Sequence, residues 1–190
     1  MSELSGGEKL QKYLEDMEKK LSTGKGLKVG FLAGSTYPDG TPVSMVAATQ
    51  EFGGSITIPE RVQDLNFRYD ERSGRVGQKF VKANKANFVQ SVVIPAHIIT
   101  IPSRPFFRTM IAEKSPSWGD DLAEIMKFSD FDAKKSLSIM GEKIVGQLKQ
   151  SITDMNDPPN AASTVRDKGF DDPLIRSGHM QSSADYEVDE

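Results

Sequence analysis

Two prolines three residues apart constrain this chain more than any other feature. They lie in Ile101–Phe107, IPSRPFF. Each proline fixes its own φ and biases the residue before it, Ile101 or Arg104, toward extended backbone. The segments upstream, Phe88–Ile94 (FVQSVVI) and Ile98–Ile101 (IITI), are rich in β-branched residues and read as strands. Pro95 interrupts them, which implies a bend or a sheet edge. Downstream, Phe107, Met110 and Ile111 share one helical face, and Pro105 is placed to begin that helix. The segment is therefore a rigid corner from sheet to helix. Phe106 and Phe107 point to different faces, so one can enter the core while the other meets a neighbour. Arg104 and Arg108 place two permanently charged forks near the helix start, able to grip a carboxylate on another subunit.

Other elements read more simply. Glu8–Leu21 carries Leu10, Tyr13, Leu14, Met17 and Leu21 at helical spacing, with Ser5 and Glu8 at capping-box distance. Leu27–Leu32 reads as a strand, and VSMVAATQEF after Pro42 as a short helix stopped by Gly53-Gly54. Asp70–Gly74 is expected at a hairpin tip. Trp118, Leu122, Ile125 and Met126 resume a helix after a break near Ser115-Pro116-Ser117. The clearest helix is Asp130–Asp154, where Leu137, Met140, Ile144, Leu148 and Ile152 form one stripe and Asp130 serves as N-cap. A loop follows from Asn156, and PLIRSGHMQSSADYEV reads as a helical turn and a closing strand.

Composition narrows the chemistry. The 190 residues include no cysteine, which removes disulfides, thiolate nucleophiles and Cys-ligated metals. The start MSELSGGEKL has no apolar core of a signal peptide, and no run approaches a membrane span. The expectation is a soluble protein, held in the cytoplasm until it joins something larger. Neither a dinucleotide nor a phosphate-loop glycine pattern occurs, and no metal-binding spacing is present, so no cofactor or metal is expected. Ser177, His179 and Asp172 are the residues from which a hydrolytic triad would have to be built, but no nucleophile-elbow pattern surrounds Ser177. With a net charge of −3 the chain lacks a global nucleic-acid footprint. Locally, Lys79, Lys82 and Lys85 interleave with Phe80 and Phe88, a pattern that serves either phosphate contact or a solvated strand face protected from edge pairing.

Three segments occur in a fixed order: VAATQEFGG (Val46–Gly54), IPSRPFFRTMI (Ile101–Ile111) and PLIRSGHMQSSADYEV (Pro173–Val188). Together they resemble the minor tail, tail-completion or virion-morphogenesis proteins of long-tailed double-stranded DNA phages. The likeness runs from about Leu27 onward. Ser177 stands where that family often has threonine, and the insertion between Gly54 and Ile101 is longer than in compact members. The resemblance implies a non-enzymatic virion protein of the head–tail neck, assembled in the host cytoplasm. It implies an oligomeric ring, hexameric by analogy with tail symmetry, joining head-completion or connector proteins to a tail terminator or tail tube. Packaged DNA is a further possible contact, and a membrane is not. The alternatives are the tail terminator itself, a DNA-contacting neck protein and a small hydrolase.

The expected fold is α+β: a small, mostly antiparallel sheet packed against a long helix, with an N-terminal helix and a projecting β-hairpin arm. The sheet would combine Leu27–Leu32, the Phe88–Ile101 strands and the C-terminal strand. Residues 1–190 would form a single domain, with 1–24 as the N-terminal helix, 56–88 as the inserted arm and 156–170 as a mobile loop. The candidate interface residues are Arg104, Phe106, Phe107, Arg108, Lys79, Lys82, Lys85, His179 and Met180. Met180 is expected as a flexible apolar plug beside the joint at Gly178.

Overall fold

In the computed structural model, which describes residues 7–189, the chain is α+β and divides into two compact units. One comprises residues 1–53 with 102–190, the other 54–101. Ser5, expected to open the first helix, lies outside the described residues. Among those described are six α-helices and four two-stranded antiparallel sheets. No helix among them is long and apolar enough to cross a membrane.

The larger unit is built on its longest apolar stripe. Helix α4 (Ala133–Asp154) buries Met140, Ile144, Val145, Leu148 and Ile152. Around it lie α2 (Val43–Phe52), contributing Val43 and Ala47, and α3 (Phe106–Phe128), contributing Phe106 and Met110. Leu174, Met180 and Ala184 complete the core. Strands β1 (Gly26–Gly30) and β8 (Asp185–Asp189) pair antiparallel, Gly26 with Asp189 through Gly30 with Asp185, and cross α4 at Gly141. A Cβ on Gly141 would stand 2.5 Å from Tyr186 Cδ2 and 3.0 Å from Leu27 Cδ1, so only glycine admits this crossing. Helix α1 (Gly7–Leu21) precedes β1. Helices α5 (Ala162–Lys168) and α6 (His179–Ser182) lie between α4 and β8.

The smaller unit consists of hairpin ladders. Strand β2 (Gly54–Ile58) pairs with β7 (His97–Ile101), and β3 (Arg61–Phe67) with β6 (Phe88–Ile94). Strands β4 (Tyr69–Asp70) and β5 (Arg75–Val76) close the tip, where Asp70 accepts from Arg72 N and Ser73 Oγ. Ile58 faces His97 and Arg61 faces Ile94, so two residues intervene on each strand and the register does not slip. Gly54–Phe67 and Phe88–Ile101 are therefore one ribbon, interrupted where Pro59 and Pro95 remove ladder donors.

Three expectations change. The single sheet is replaced by separate ladders: Phe88–Ile101 pairs within its own unit, while Leu27–Gly30 pairs with the terminal strand alone. Helix α3 runs unbroken through Pro116. Pro116 leaves the Ala112 carbonyl without its helical donor, and in the same turn Ser117 Oγ donates to Lys114 O and Asp121 Oδ2. The N-cap of α4 is Asp132, accepting from Lys135 N at 3.0 Å. Asp130 and Phe131 instead make the left-handed corner between α3 and α4, with φ of 52° and 58°.

Candidate functional site

The corner at residues 102–108 is held by the end of α2. Glu51, 5% exposed, turns its carboxylate onto the start of α3. It accepts from Phe107 N at 2.9 Å, Arg108 N at 3.2 Å and Arg108 Nε at 2.7 Å. The first amides of a helix have no partner within it, and their end of the dipole favours an anion. Glu51 thus caps a helix from a distant segment. Arg108 Nη2 and Ser103 Oγ both donate to the Glu51 carbonyl, and the Arg108 guanidinium lies 5.0 Å from the centre of the Phe52 ring.

Arg104 corrects an expectation. Expected to reach a carboxylate on another subunit, it is buried at 6% exposure and turned inward. Its Nε donates to Pro158 O, Nη1 to Gln50 Oε1 and Nη2 to Pro159 O, at 2.9, 2.8 and 3.2 Å. All three acceptors are neutral. Burial pulls the guanidinium below its ordinary range, and Asp171 acts in the opposite sense. The five-donor fork satisfies carbonyls of a segment that cannot bond to itself, because Pro158 and Pro159 interrupt any helix or ladder. Asn160 is fixed in turn by Asp171, which accepts from its backbone and side-chain amides at 3.0 and 2.9 Å. The segment expected as a loop from 156 to 170 therefore carries a clamped stretch and helix α5.

Two further candidates also belong to the interior. Phe106 is 1% exposed, packs edge-on to Phe31, and its carbonyl accepts from Ser151 Oγ at 2.7 Å. Met180 is buried in the core and so offers no surface. Phe107 is half-buried against the core. Arg108 remains exposed along its side chain although its Nε is engaged by Glu51.

His179 stands over Tyr37, ring centres 4.8 Å apart, with Nε2 3.0 Å from Thr36 O. Its backbone N, and not its ring, approaches Ser177 Oγ at 3.4 Å. Among the described residues no carboxylate is hydrogen-bonded to the imidazole, and the ring of His179 does not meet Ser177 Oγ. Around this ring lies a cleft of about 470 Å³ lined by Tyr37, Val46, Gln50, Leu174, His179 and Met180 among others. Gln50 reaches both this cleft and Arg104. The three sequence segments that mark the resemblance thus converge, with α2 as the piece shared by the corner and the terminal turn.

Lys79, Lys82 and Lys85 are not part of this convergence. They lie exposed near the tip of the 54–101 unit, with Lys82 preceding and Lys85 ending a single 3-10 turn at Ala83–Lys85. Among the described residues no cluster of three or more His, Asp or Glu side chains could hold a metal ion. Sequence reasoning missed Glu51 and Gln50. The available signal was an acidic residue at the C-terminal end of a short helix, where the dipole disfavours it unless it serves elsewhere.

Searches against family models, curated proteins and solved structures returned no match to this chain.

Proposed function

We propose that this chain is a structural component of the head–tail junction of a long-tailed double-stranded DNA phage, a tail-completion protein. It joins the head-completion or connector assembly to the tail stoichiometrically, as a subunit of a ring. The observation that carries the reading is the convergence of VAATQEF, SRPFFR and LIRSGHM on one locked corner. Glu51, Arg104 and Gln50 there hold three remote segments in fixed geometry. Such a corner holds α2, the start of α3 and the terminal turn together within the larger unit. A ring subunit needs that property, since closure depends on repeating one geometry at every interface.

Tail termination is the nearest alternative, differing in whether the ring caps tube growth or bridges to the head. The test is complementation of a phage lacking the gene. Loss of the protein should leave full heads and finished tails that fail to join, and adding it back should restore joining. Overlong tails would favour the terminator, and normal virions without the protein would sink both readings.

A further inference from the structure

The 54–101 unit contains no fully buried side chain. A lone two-stranded ribbon is marginally stable in water, because one sheet layer has nothing to bury its apolar face against. Yet this unit holds ten of the nineteen large apolar side chains that are exposed among the described residues. Their placement follows from the register. Opposed residues of an antiparallel pair share a face, so Ile56 and Ile99, Val62 and Val93, and Val89 all lie on one side of the ribbon, together with Asn66 and the hydrogen-bonded pair Asp64 and Ser91, while exposed Ile98 lies on the other side. The exposures of those five aliphatic side chains on the first side run from 47% for Ile99 to 68% for Val62. The other side is partly covered near the tip, where Phe80 stacks on Phe67 and Val81 N donates to Asn66 O.

Charge separates along the same division. The 54–101 segment has seven Lys and Arg against four Asp and Glu, a net of +3, while the rest of the chain has 17 against 23, a net of −6. Within the insertion, Arg68, Arg72, Arg75, Lys79, Lys82 and Lys85 gather toward the tip, all exposed and none within an ion pair. A single chain thus carries a basic, apolar ribbon and an acidic body.

We infer that the bare face of the ribbon, with its basic tip, docks on the acidic body of a second copy of this chain. This deepens the ring reading and rests on it. A ribbon-to-body contact uses different patches on the two subunits; made head to tail it closes a ring, and made reciprocally it stops at a two-fold dimer, which sedimentation distinguishes by mass. Edge-to-edge pairing of two ribbons is disfavoured, because Pro59 and Pro95 interrupt both edges at mid-length. The face measures roughly 46 Å by 10 Å from strand rise and spacing. That is more than half of the ~800 Å² each partner contributes to a standard interface, leaving the remainder to the tip.

The test is sedimentation velocity of the full chain across protein and salt concentration. The key variant is Val62→Glu with Val93→Lys, which sets opposite charges directly across the ladder. It preserves both the pairing and the net charge while ending the apolar face. The wild type should self-associate more weakly as salt rises, and this variant should associate at least ~100-fold more weakly, in the range of a hot-spot loss. Lys79→Glu, Lys82→Glu and Lys85→Glu together should weaken association ~10-fold and flatten the salt dependence. A wild type that stays monomeric, or a Val62→Glu/Val93→Lys variant that assembles like wild type, overturns the inference. So does a monomer whose ribbon instead retains a DNA duplex regardless of the Val62/Val93 change. Self-association through the ribbon in a protein absent from virions would leave this contact standing while removing the neck reading.

Discussion

The two units solve the burial problem in opposite ways. In the larger, α4 places an apolar stripe at the centre, and α2, α3 and the terminal turn close over it until Phe106, Leu148 and Ile152 lose nearly all contact with water. In the smaller, a ribbon of similar apolar content leaves every side chain at least partly exposed. The contrast separates residues that make the subunit from residues left for something outside it. Apolar side chains without intramolecular cover are where partners are expected, whereas locked charged residues such as Arg104 are where the fold is expected to fail.

Substitutions should divide along the same line. The largest effect is expected from Arg104→Glu, which puts a carboxylate among the Pro158, Pro159 and Gln50 oxygens. A loss of about 4 kcal/mol is expected, as for a broken buried charge. Thermal melting should show a drop of roughly 8–16 °C for a chain of this size, and an unchanged melt would detach Arg104 from the core. Leu148→Ala empties a fully buried position on α4 and should cost about 3 kcal/mol by denaturant titration. Gly141→Ala forces Tyr186 and Leu27 off the helix and should cost about 2 kcal/mol. A neutral result there would mean that the β1–β8 pair shifts freely over α4. Val62→Ser on the ribbon should change monomer stability by less than ~0.5 kcal/mol, as exposed positions do. A cost near that of Leu148→Ala would show that the ribbon face is already covered within the subunit.

Much of the helical unit was legible because its information is local. The stripe on α4, the Pro42 start and Gly53 stop of α2, and the turn at Asp70–Gly74 are each written within a dozen residues. Strand partnership was not legible. Phe88–Ile101 is equally β-branched whether it joins β1 or folds back on 54–67, and that choice depends on pairing across the intervening tip. The breaks at Pro59 and Pro95 acquire meaning only once the register sets them on adjoining rungs of one ladder. For the corner, IPSRPFF announces the turn into α3, but the direction of Arg104 depends on carbonyls more than fifty residues away. Proline carbonyls carry no sequence mark as arginine acceptors. Glu51 was hidden for the same reason, since a cap drawn from another helix has no fixed spacing from the helix it serves.

The corner and the ribbon become one account if the first holds the subunit rigid while the second reaches the next copy. Imaging of purified virions by cryo-electron microscopy, with the copy number of this chain measured in the same particles, tests that account most directly. It predicts a closed ring of this chain between head and tail, each ribbon lying against the acidic body of the adjacent subunit. Particles with no copy at the neck, or with the chain present there as separated monomers, would contradict it.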